Sequence, residues 1–155
     1  MPDGRVFRFL TLLAAVFVLL GHFSATTTPG TQATVEVKDL LDKQVEAWNR
    51  GDLDGYMAGY WNSDQLTFYS NATESHGWKA TLEHYRERYS RNKNGMGKVT
   101  LTIGLEQLDE KTVLGRGTWS LQMPDGSTPH GLTTLIVRKL PEGWRIVHDH
   151  SSAAQ

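Results

Sequence analysis

The sequence predicts an α+β domain, with helices in the first half of the chain and a meander of long antiparallel strands in the second. Residues 35–50 carry one stripe of apolar side chains at helical steps, formed by Val37, Leu41, Val45 and Trp48. Residues 99–106 alternate strictly between apolar and polar side chains, which is typical of a strand with two different faces. Helices that precede such a meander pack on one face of the sheet, so we expect the core between the helices and that face.

Glycine and aspartate mark the boundaries of the first predicted helices. Gly51 ends the first helix, because glycine adopts the left-handed conformation of a helix C-terminus at little cost. Asp52 caps a second short helix, with its carboxylate accepting from free backbone amides. Residues 66–70 then form a short strand, residues 71–77 a loop and residues 78–90 a third helix.

The second half of the chain returns in hairpins. After the strand that begins at Val99, the predicted strands span residues 112–122, 130–140 and 143–151. A three-residue turn in the first hairpin places Leu101 opposite Trp119, which pairs apolar residues. In the last hairpin, pairing of Leu140 with Gly143 sets the register of the C-terminal strand.

The length and composition of the chain fit one domain and exclude two classes of function. Its 155 residues suit a single domain. Its 16 Lys and Arg nearly balance 17 Asp and Glu, whereas nucleic-acid-binding domains carry a basic excess, so we expect no nucleic-acid partner. With no cysteine, the chain has no disulfide, thiolate nucleophile or cysteine-based metal site.

The N-terminal segment has the pattern of a secretory signal peptide. Arg5 and Arg8 give a basic start, and the apolar run that follows is shorter than the roughly 20 residues needed to cross a bilayer. We predict a signal peptide over residues 1–25, a small polar linker over 26–34 and a folded domain over 35–152. The mature chain is then secreted or periplasmic and makes no membrane contact; an uncleaved N-terminal anchor is the alternative.

Aromatic residues with polar tips predict a partly polar cavity between the helices and the sheet. Trp and Tyr need hydrogen-bond partners when buried, and they occur here on nearly every element. Such a lining suits a small-molecule pocket, and ordinary core with tyrosine hydroxyls reaching solvent is the alternative. The predicted ligand-binding residues are Trp48, Tyr56, Tyr60, Tyr69, Tyr85 and Trp119.

Two histidines in the last strand are the predicted catalytic candidates. Strict alternation places His148 and His150 on the pocket face with Ile146, and Asp149 on the outer face. In that register His148 lies opposite Leu135. A pocket histidine can act as general base, because its pKa lies near neutrality; a buried histidine with a purely structural hydrogen bond is the alternative.

A metal site would need a third ligand beside the two histidines. The nearest candidate, His130, has the parity of Leu132 and Ile136 and so belongs to the opposite face. We therefore predict no metal site and no cofactor. Leu132, Ile136 and Val147 make the outer face partly apolar, and a homodimer through this face is the simplest way to cover it.

Three segments of the sequence resemble a known superfamily. They are the helix corner at residues 47–54, the Gly77-Trp78 pair and the C-terminal strand at residues 143–151. These segments are similar to those of the nuclear transport factor 2-like superfamily, which includes SnoaL-like proteins, ketosteroid isomerases and the association domain of calcium/calmodulin-dependent kinase II. The resemblance covers residues 35–152 and implies a cystatin-like, cone-shaped fold. In it a curved antiparallel sheet wraps around the N-terminal helices, with a pocket at the open end and dimers or larger assemblies.

The resemblance leaves the function open, because the superfamily joins enzymes, binding proteins and assembly domains. Ketosteroid isomerases carry an aspartate base on the first strand, but residues 66–70 contain no carboxylate, and their helix tyrosine corresponds to a position near Gln44. Our leading hypothesis is an exported, homodimeric pocket domain that binds a small molecule. The alternatives are an isomerase, dehydratase or cyclase using a pocket histidine as base, and an oligomerisation module with a vestigial pocket.

Overall fold

The computed structural model describes residues 31–90 and 95–154, and within them the fold is α+β as predicted. The helices are α1 (Gln32–Asn49), α2 (Leu53–Met57) and α3 (Trp78–Ser90). The strands are β1 (Thr67–Ser70), β2 (Thr73–His76), β3 (Lys98–Asp109), β4 (Thr112–Gln122), β5 (His130–Leu140) and β6 (Gly143–Ala153). All of them form one curved sheet in the order β2-β1-β6-β5-β4-β3.

Helix α1 begins three residues before the predicted domain boundary. Thr31 caps it, and the Thr31 hydroxyl oxygen accepts from the backbone N–H of Thr34. Residues 32–34, which were predicted as linker, are therefore helical. The predicted signal peptide (1–25) and residues 26–30 of the predicted linker lie outside the described residues. Between residues 31 and 154, the described helices include none long and apolar enough to cross a membrane.

The corner between α1 and α2 has the predicted caps and one further contact. Gly51 has a φ of 79°, and Asp52 Oδ1 accepts from the Gly55 N–H at 2.7 Å. The Asn49 side chain pairs with the backbone of Val99: its Oδ1 accepts from the Val99 N–H at 2.7 Å, and its Nδ2 donates to the Val99 oxygen at 3.1 Å. The corner is thereby fixed to β3.

The region between β1 and α3 differs from its prediction as a loop. Asn71 turns the chain with a φ of 53°, and β2 then pairs antiparallel with β1. Strand β2 is short and polar, so it lacks the apolar alternation by which a strand is recognised. Strand β1 also runs parallel to β6, with Thr67 beside His148, so the sheet is not purely antiparallel.

Strand β3 follows the predicted alternation, and β4 and β5 have the predicted bounds. Leu101 lies opposite Trp119 as predicted, but the predicted three-residue turn is wrong: Asp109 pairs with Thr112 across a two-residue turn, and Leu108 is an extra residue without a partner on β4. Leu140 pairs with Gly143, which confirms the start of the last hairpin. The core lies between the helices and the concave face of the sheet, and its fully buried side chains include Val37, Leu41, Met57, Leu66, Val113, Val137 and Ile146.

A β-bulge in β6 reverses the predicted parity of the C-terminal strand. Val137 pairs with Ile146 as predicted, but Ile136 then pairs with His148, so Val147 is an extra residue without a partner on β5. From that point Asp149 points into the fold, and His148 and His150 point outward. The predicted pairing of Leu135 with His148 is wrong, since Leu135 lies opposite Asp149.

The bulge occurs where a third segment joins the sheet. The Ile146 N–H donates to the Gly59 oxygen at 2.9 Å, and the Ile146 oxygen accepts from the Trp61 N–H at 2.9 Å. These bonds form a short parallel bridge between Tyr60 and Ile146. The segment after α2 therefore fixes the backbone of β6 at the bulge and brings the Tyr60 side chain towards Asp149.

Candidate functional site

A cavity of about 140 Å³ lies between α1, α3 and the concave face of the sheet. Its walls are mainly apolar, with Leu41, Val45, Phe68, Leu135 and Ile146 among the lining residues. Three exposed residues also border it, and they define its mouth: Asn71, Arg88 and Ala153. The cavity is thus open to solvent at the end where β1 and β6 terminate.

The predicted ligand-binding aromatics line this cavity, with one exception. Trp48, Tyr56, Tyr60, Tyr85 and Trp119 all border it. They come from α1, α2, the residues just after α2, α3 and β4. The sequence predicts that these side chains face inward. Their role in ligand binding stays a prediction. Tyr69 is the exception, and it lies on the outer face of the sheet.

Asp149 is the buried acidic group of the cavity, contrary to its predicted place on the outer face. It is 4% exposed and borders the cavity. Its Oδ2 accepts from the Tyr60 hydroxyl at 2.7 Å, and its Oδ1 accepts from the Ser151 hydroxyl at 2.8 Å and from the Thr133 hydroxyl at 3.4 Å. A buried carboxylate needs such donors, because burial removes its hydrogen bonds with water.

A chain of tyrosine hydroxyls extends from Asp149 across the cavity. The Tyr60 oxygen is 3.1 Å from the Tyr56 oxygen, which is 3.2 Å from the Tyr85 oxygen. An ionised carboxylate only accepts, and each hydroxyl has one proton to donate. Tyr60 therefore donates to Asp149, Tyr56 donates to Tyr60, and Tyr85 donates to Tyr56. Every tyrosine proton in the chain points towards Asp149.

Burial shifts the pKa values of this network in one direction. Loss of solvation raises the pKa of Asp149, although the donors Tyr60, Ser151 and Thr133 oppose the rise. Burial also raises the pKa values of Tyr56, Tyr60 and Tyr85, and the nearby Asp149 charge adds to each increase. The tyrosines are therefore neutral near neutral pH, and Asp149 is the acidic group of the network.

His148, His150 and Tyr69 lie outside the cavity, so their predicted place in the pocket is wrong. The bulge at Val147 turns both histidines to the outer face of the sheet. The Thr67 hydroxyl lies 2.6 Å from His148 Nδ1, and Tyr69 packs edge-on against His148 at 5.1 Å between ring centroids. The Tyr69 hydroxyl donates to Glu74 at 2.9 Å. Partial burial, together with the neighbouring His150, lowers the pKa of His148.

Two indole nitrogens at the cavity have no hydrogen-bond partner among the described residues. They are Nε1 of Trp48 and Nε1 of Trp119, and both atoms are buried. An unsatisfied buried N–H costs about 1–3 kcal/mol relative to one with an acceptor. By contrast, Trp78 Nε1 donates to the Met57 oxygen at 3.0 Å, and Trp144 Nε1 donates to Glu36 at 2.7 Å.

Helix α3 contributes two basic side chains to the lining of the cavity, Arg88 and His84. Arg88 is exposed, and its guanidinium carbon lies 5.8 Å from the centre of the Tyr89 ring. His84 is partly buried beside Phe68, and burial, followed by the charge of Arg88, lowers its pKa. Within residues 31–90 and 95–154, no group of three or more His, Asp or Glu side chains has the arrangement of a metal site.

Sequence reasoning missed Asp149, Thr133 and Ser151 as a group. Alternation from Ile146 assigns Asp149 to the outer face, and no glycine or proline marks the bulge. One signal was available. Thr133 shares the inward face of β5 with Leu135. A polar side chain on a buried face needs a hydrogen-bond partner, and the paired strand β6 is the nearest place for one.

The fold and cavity define a class of protein: an α+β pocket domain in which an open curved sheet packs on helices and a buried acid lies at the inner wall. The chain belongs to the SnoaL-like domain family, whose model matches residues 37–155. A comparison with curated proteins found no match.

Solved structures support the same assignment of fold. An NTF-2 like protein of unknown function from Shewanella oneidensis is 40% identical, with a TM-score of 0.72 over 77% of this chain and 98% of that chain. A ketosteroid isomerase-like protein from Erwinia carotovora atroseptica is 15% identical, with a TM-score of 0.64 over 81% and 99%. A putative calcium/calmodulin dependent protein kinase II association domain from Xanthomonas campestris is 17% identical, with a TM-score of 0.60 over 77% and 86%. The last two share the fold alone.

Proposed function

We propose that this chain binds a small, mostly apolar molecule in the cavity between α1, α3 and the sheet. The observation that carries the proposal is the arrangement of the walls: apolar side chains surround one buried polar network, Asp149 with its tyrosine chain. Binding sites for small molecules commonly combine an apolar lining with a few fixed polar groups. The cavity is open to solvent and contains this network. Both features favour small-molecule binding over the alternative of an oligomerisation module with a vestigial pocket.

Two matched substitutions on α1 test the proposal. Val45 borders the cavity, whereas Val35 is 55% exposed on the same helix. Val45→Phe fills the cavity, and Val35→Phe adds the same atoms in solvent. Native mass spectrometry of the purified wild type is expected to show a bound small molecule, which Val35→Phe retains and Val45→Phe loses. Equal retention by both folded variants would contradict binding in this cavity.

A second candidate function is proton transfer to or from a bound molecule. The buried Asp149, whose pKa burial raises, takes the place that the sequence assigned to His148 as general base. A carboxyl of raised pKa at an apolar wall supports removal of a proton next to a ligand carbonyl, with the tyrosine chain holding the carboxylate in position.

Deuterium exchange distinguishes this candidate from binding alone. Cyclohexanone in heavy water is expected to gain deuterium beside its carbonyl faster with the wild type than in buffer. Asp149→Asn should abolish the acceleration, and His148→Gln should leave it unchanged. Acceleration that disappears in His148→Gln and persists in Asp149→Asn would assign the base to the outer face instead.

Export is a further part of the proposed function. Its support is the basic start and short apolar run within residues 1–25. In a bacterial host, the full chain is expected to appear in the periplasm or medium with its N-terminus shortened to the region of residues 26–34. An intact Met1 on the membrane fraction would show an uncleaved anchor.

A further inference from the structure

The buried carboxylate of Asp149 lacks a cationic partner among residues 31–90 and 95–154, where no ion pair involves it. Buried charges in proteins are usually paired, because an unpaired one is costly. We propose that a ligand supplies the missing charge, so that the cavity takes a small organic ammonium ion with one ring or an apolar body of that size. This inference rests on the proposed binding function and specifies its ligand class.

The groups around Asp149 stabilise its carboxylate without neutralising it. Its three hydroxyl donors add no positive charge. Burial raises its pKa, the hydroxyl donors oppose the rise, and His150, on the other face of the sheet, opposes it least. Arg88 and His84 border the cavity, but neither forms an ion pair with Asp149. An ionised Asp149 therefore leaves a negative charge at the inner wall of the cavity.

The tyrosine chain extends this acceptor surface across the cavity. Tyr60, Tyr56 and Tyr85 all border the cavity, and each gives its hydroxyl proton in the direction of Asp149. Their oxygens can still accept, and the Tyr85 oxygen accepts from no other member of the chain. An ammonium N–H therefore finds acceptors here, whereas a carboxylate ligand finds none of these protons. The charge of Asp149 also acts without direct contact, since water is scarce between it and the ligand.

Aromatic rings form much of the rest of the cavity wall. The rings stand steeply to one another: Trp48 makes interplanar angles of 71° with Tyr56 and 86° with Tyr89, and Tyr56 makes one of 61° with Tyr60. Ring faces in this cluster therefore point in several directions. Aromatic cages bind ammonium ions through the negative potential of their ring faces. The aromatic cluster consists of Trp48, Tyr56, Tyr60, Phe68, Tyr85 and Tyr89.

One ring of the aromatic cluster already carries a cation. The guanidinium carbon of Arg88 lies 5.8 Å from the centre of the Tyr89 ring, within the ~6 Å range of a cation–π contact. Arg88 is exposed at the mouth, where solvent and salt screen its repulsion of a second cation. Burial, followed by the charge of Arg88, lowers the pKa of His84, so this histidine is mainly neutral near neutral pH. The interior therefore remains open to a positive charge.

The size of the cavity selects the probes. Its volume of about 140 Å³ is close to the ~150 Å³ that holds benzene, so it suits one six-membered ring. Cyclohexylammonium, cyclohexanol and cyclohexanecarboxylate share such a ring and differ in charge. Cyclohexanol has a hydroxyl donor where cyclohexylammonium has its charged nitrogen, so comparison of these two isolates the effect of the charge.

Nuclear magnetic resonance titration of the full chain near neutral pH tests the inference. The methyl signals of Leu135 and Ile146, which border the cavity, report binding. Cyclohexylammonium is expected to bind at least about tenfold more tightly than cyclohexanol, which equals ~1.4 kcal/mol, and cyclohexanecarboxylate is expected to bind most weakly. Asp149→Asn should abolish the preference for the cation and retain cyclohexanol. Asp54→Asn, which removes an exposed carboxylate, should change neither affinity.

Substitution of Tyr89 tests the aromatic cluster independently of Asp149. Tyr89 is partly exposed, so its replacement leaves the buried network in place. Tyr89→Leu is expected to weaken cyclohexylammonium about fivefold, or ~1 kcal/mol, and to change cyclohexanol much less. Tyr89→Phe keeps the ring and should keep both affinities. Equal losses for both probes in Tyr89→Leu would contradict recognition of the charge by the ring.

Failure of this inference is distinguishable from failure of the proposed function. Equal wild-type affinities for cyclohexylammonium and cyclohexanol would overturn the inference and leave cavity binding intact. Tightest binding of cyclohexanecarboxylate would also overturn it and assign the choice of charge to Arg88. A preference for the cation that Asp149→Asn retains would contradict the role of Asp149. If no probe shifts the methyl signals of Leu135 or Ile146, both the inference and cavity binding are wrong.

Discussion

Asp149 is held in the interior by three hydroxyl donors, and the donors do not contribute equally. Tyr60 makes the shortest contact, at 2.7 Å, and it also links the carboxylate to the other tyrosines. Tyr85 lies at the far end of the chain, where its hydroxyl contacts only the Tyr56 hydroxyl among these groups. We therefore expect the Tyr60 hydroxyl to stabilise the carboxylate most and the Tyr85 hydroxyl to stabilise it least.

Removing single hydroxyls tests that ranking. Tyr60→Phe deprives a buried carboxylate of its best donor and is expected to lower the free energy of unfolding by about 2–3 kcal/mol. Tyr85→Phe removes a neutral donor from a neutral acceptor and should cost only about 1 kcal/mol. Urea unfolding at neutral pH measures both variants. A larger loss for Tyr85→Phe than for Tyr60→Phe would contradict the proposed direction of the chain.

The ionisation of Asp149 predicts a pH dependence of stability. Burial raises its pKa in the folded protein above the ordinary value of 3.8, so the folded state binds the proton at pH values where the unfolded state has released it. Stability from this group is therefore greatest at low pH and falls as pH rises through the folded pKa. Asp149→Asn removes the titrating group.

Comparison of the wild type with Asp149→Asn isolates this effect. As pH rises through the folded pKa, the wild type should lose stability relative to the variant, in urea unfolding measured at steps from about pH 4 to pH 8. Asp54→Asn, at an exposed site, measures the effect of removing a surface carboxylate. A constant difference between wild type and Asp149→Asn over this range would contradict the prediction.

At the scale of elements, the strands differ in how well the sequence predicts their pairing. Alternation predicts β3 and its pairing with β4, in which Leu101 lies opposite Trp119. It fails in β6, because the extra residue Val147 accommodates backbone bonds from Gly59 and Trp61 to Ile146. That tertiary contact leaves no mark in the sequence of β6 itself, so alternation places Asp149 on the wrong face.

Helix α1 is tied to the last hairpin by one acidic side chain. Glu36 Oε2 accepts from Trp144 Nε1 at 2.7 Å and from Lys139 Nζ at 3.2 Å, and Glu36 Oε1 accepts from Gln32 Nε2 at 3.0 Å. The hydrogen bonds from Gln32, Trp144 and Lys139 lower the pKa of Glu36 from 4.5 to about 2. The contact thus joins α1 to β5 and β6 at the end of the sheet away from β1.

The lowered pKa of Glu36 predicts the pH range in which this contact stabilises the fold. A carboxyl with a depressed folded pKa contributes stability above its unfolded value of 4.5, and the contribution disappears as pH falls towards about 2. Glu36→Gln should therefore lower the melting temperature near neutral pH, and the difference from wild type should shrink towards pH 2. Glu46→Gln, an exposed change on the same helix, is the control. An equal effect of Glu36→Gln at both ends of the range would contradict the contact.

At the scale of the whole molecule, the convex face of the sheet carries an exposed apolar side chain. Leu132 on β5 is 63% exposed, and Ile136, further along the same strand, and Val147, at the bulge in β6, are partly exposed. The bulge turns His148 and His150 to this same face, so the predicted interface is more polar than alternation implied. A specific dimer would need about 800 Å² of this face on each partner.

We predict that a homodimer through this face depends on Leu132. In a two-fold interface, Leu132→Arg brings two charges together and removes an apolar contact, so the dimer dissociation constant should rise at least about 100-fold, or ~3 kcal/mol.

Leu108→Arg is the matched control, because Leu108 is 55% exposed near the end of β3. Light scattering at tens of micromolar should show a wild-type dimer, a Leu108→Arg dimer and a Leu132→Arg monomer. Because the cavity opens on the other side of the sheet, all three should bind the same ligand equally. A wild-type monomer would show that the chain does not dimerise. A dimer that Leu132→Arg leaves intact would show that the interface lies elsewhere.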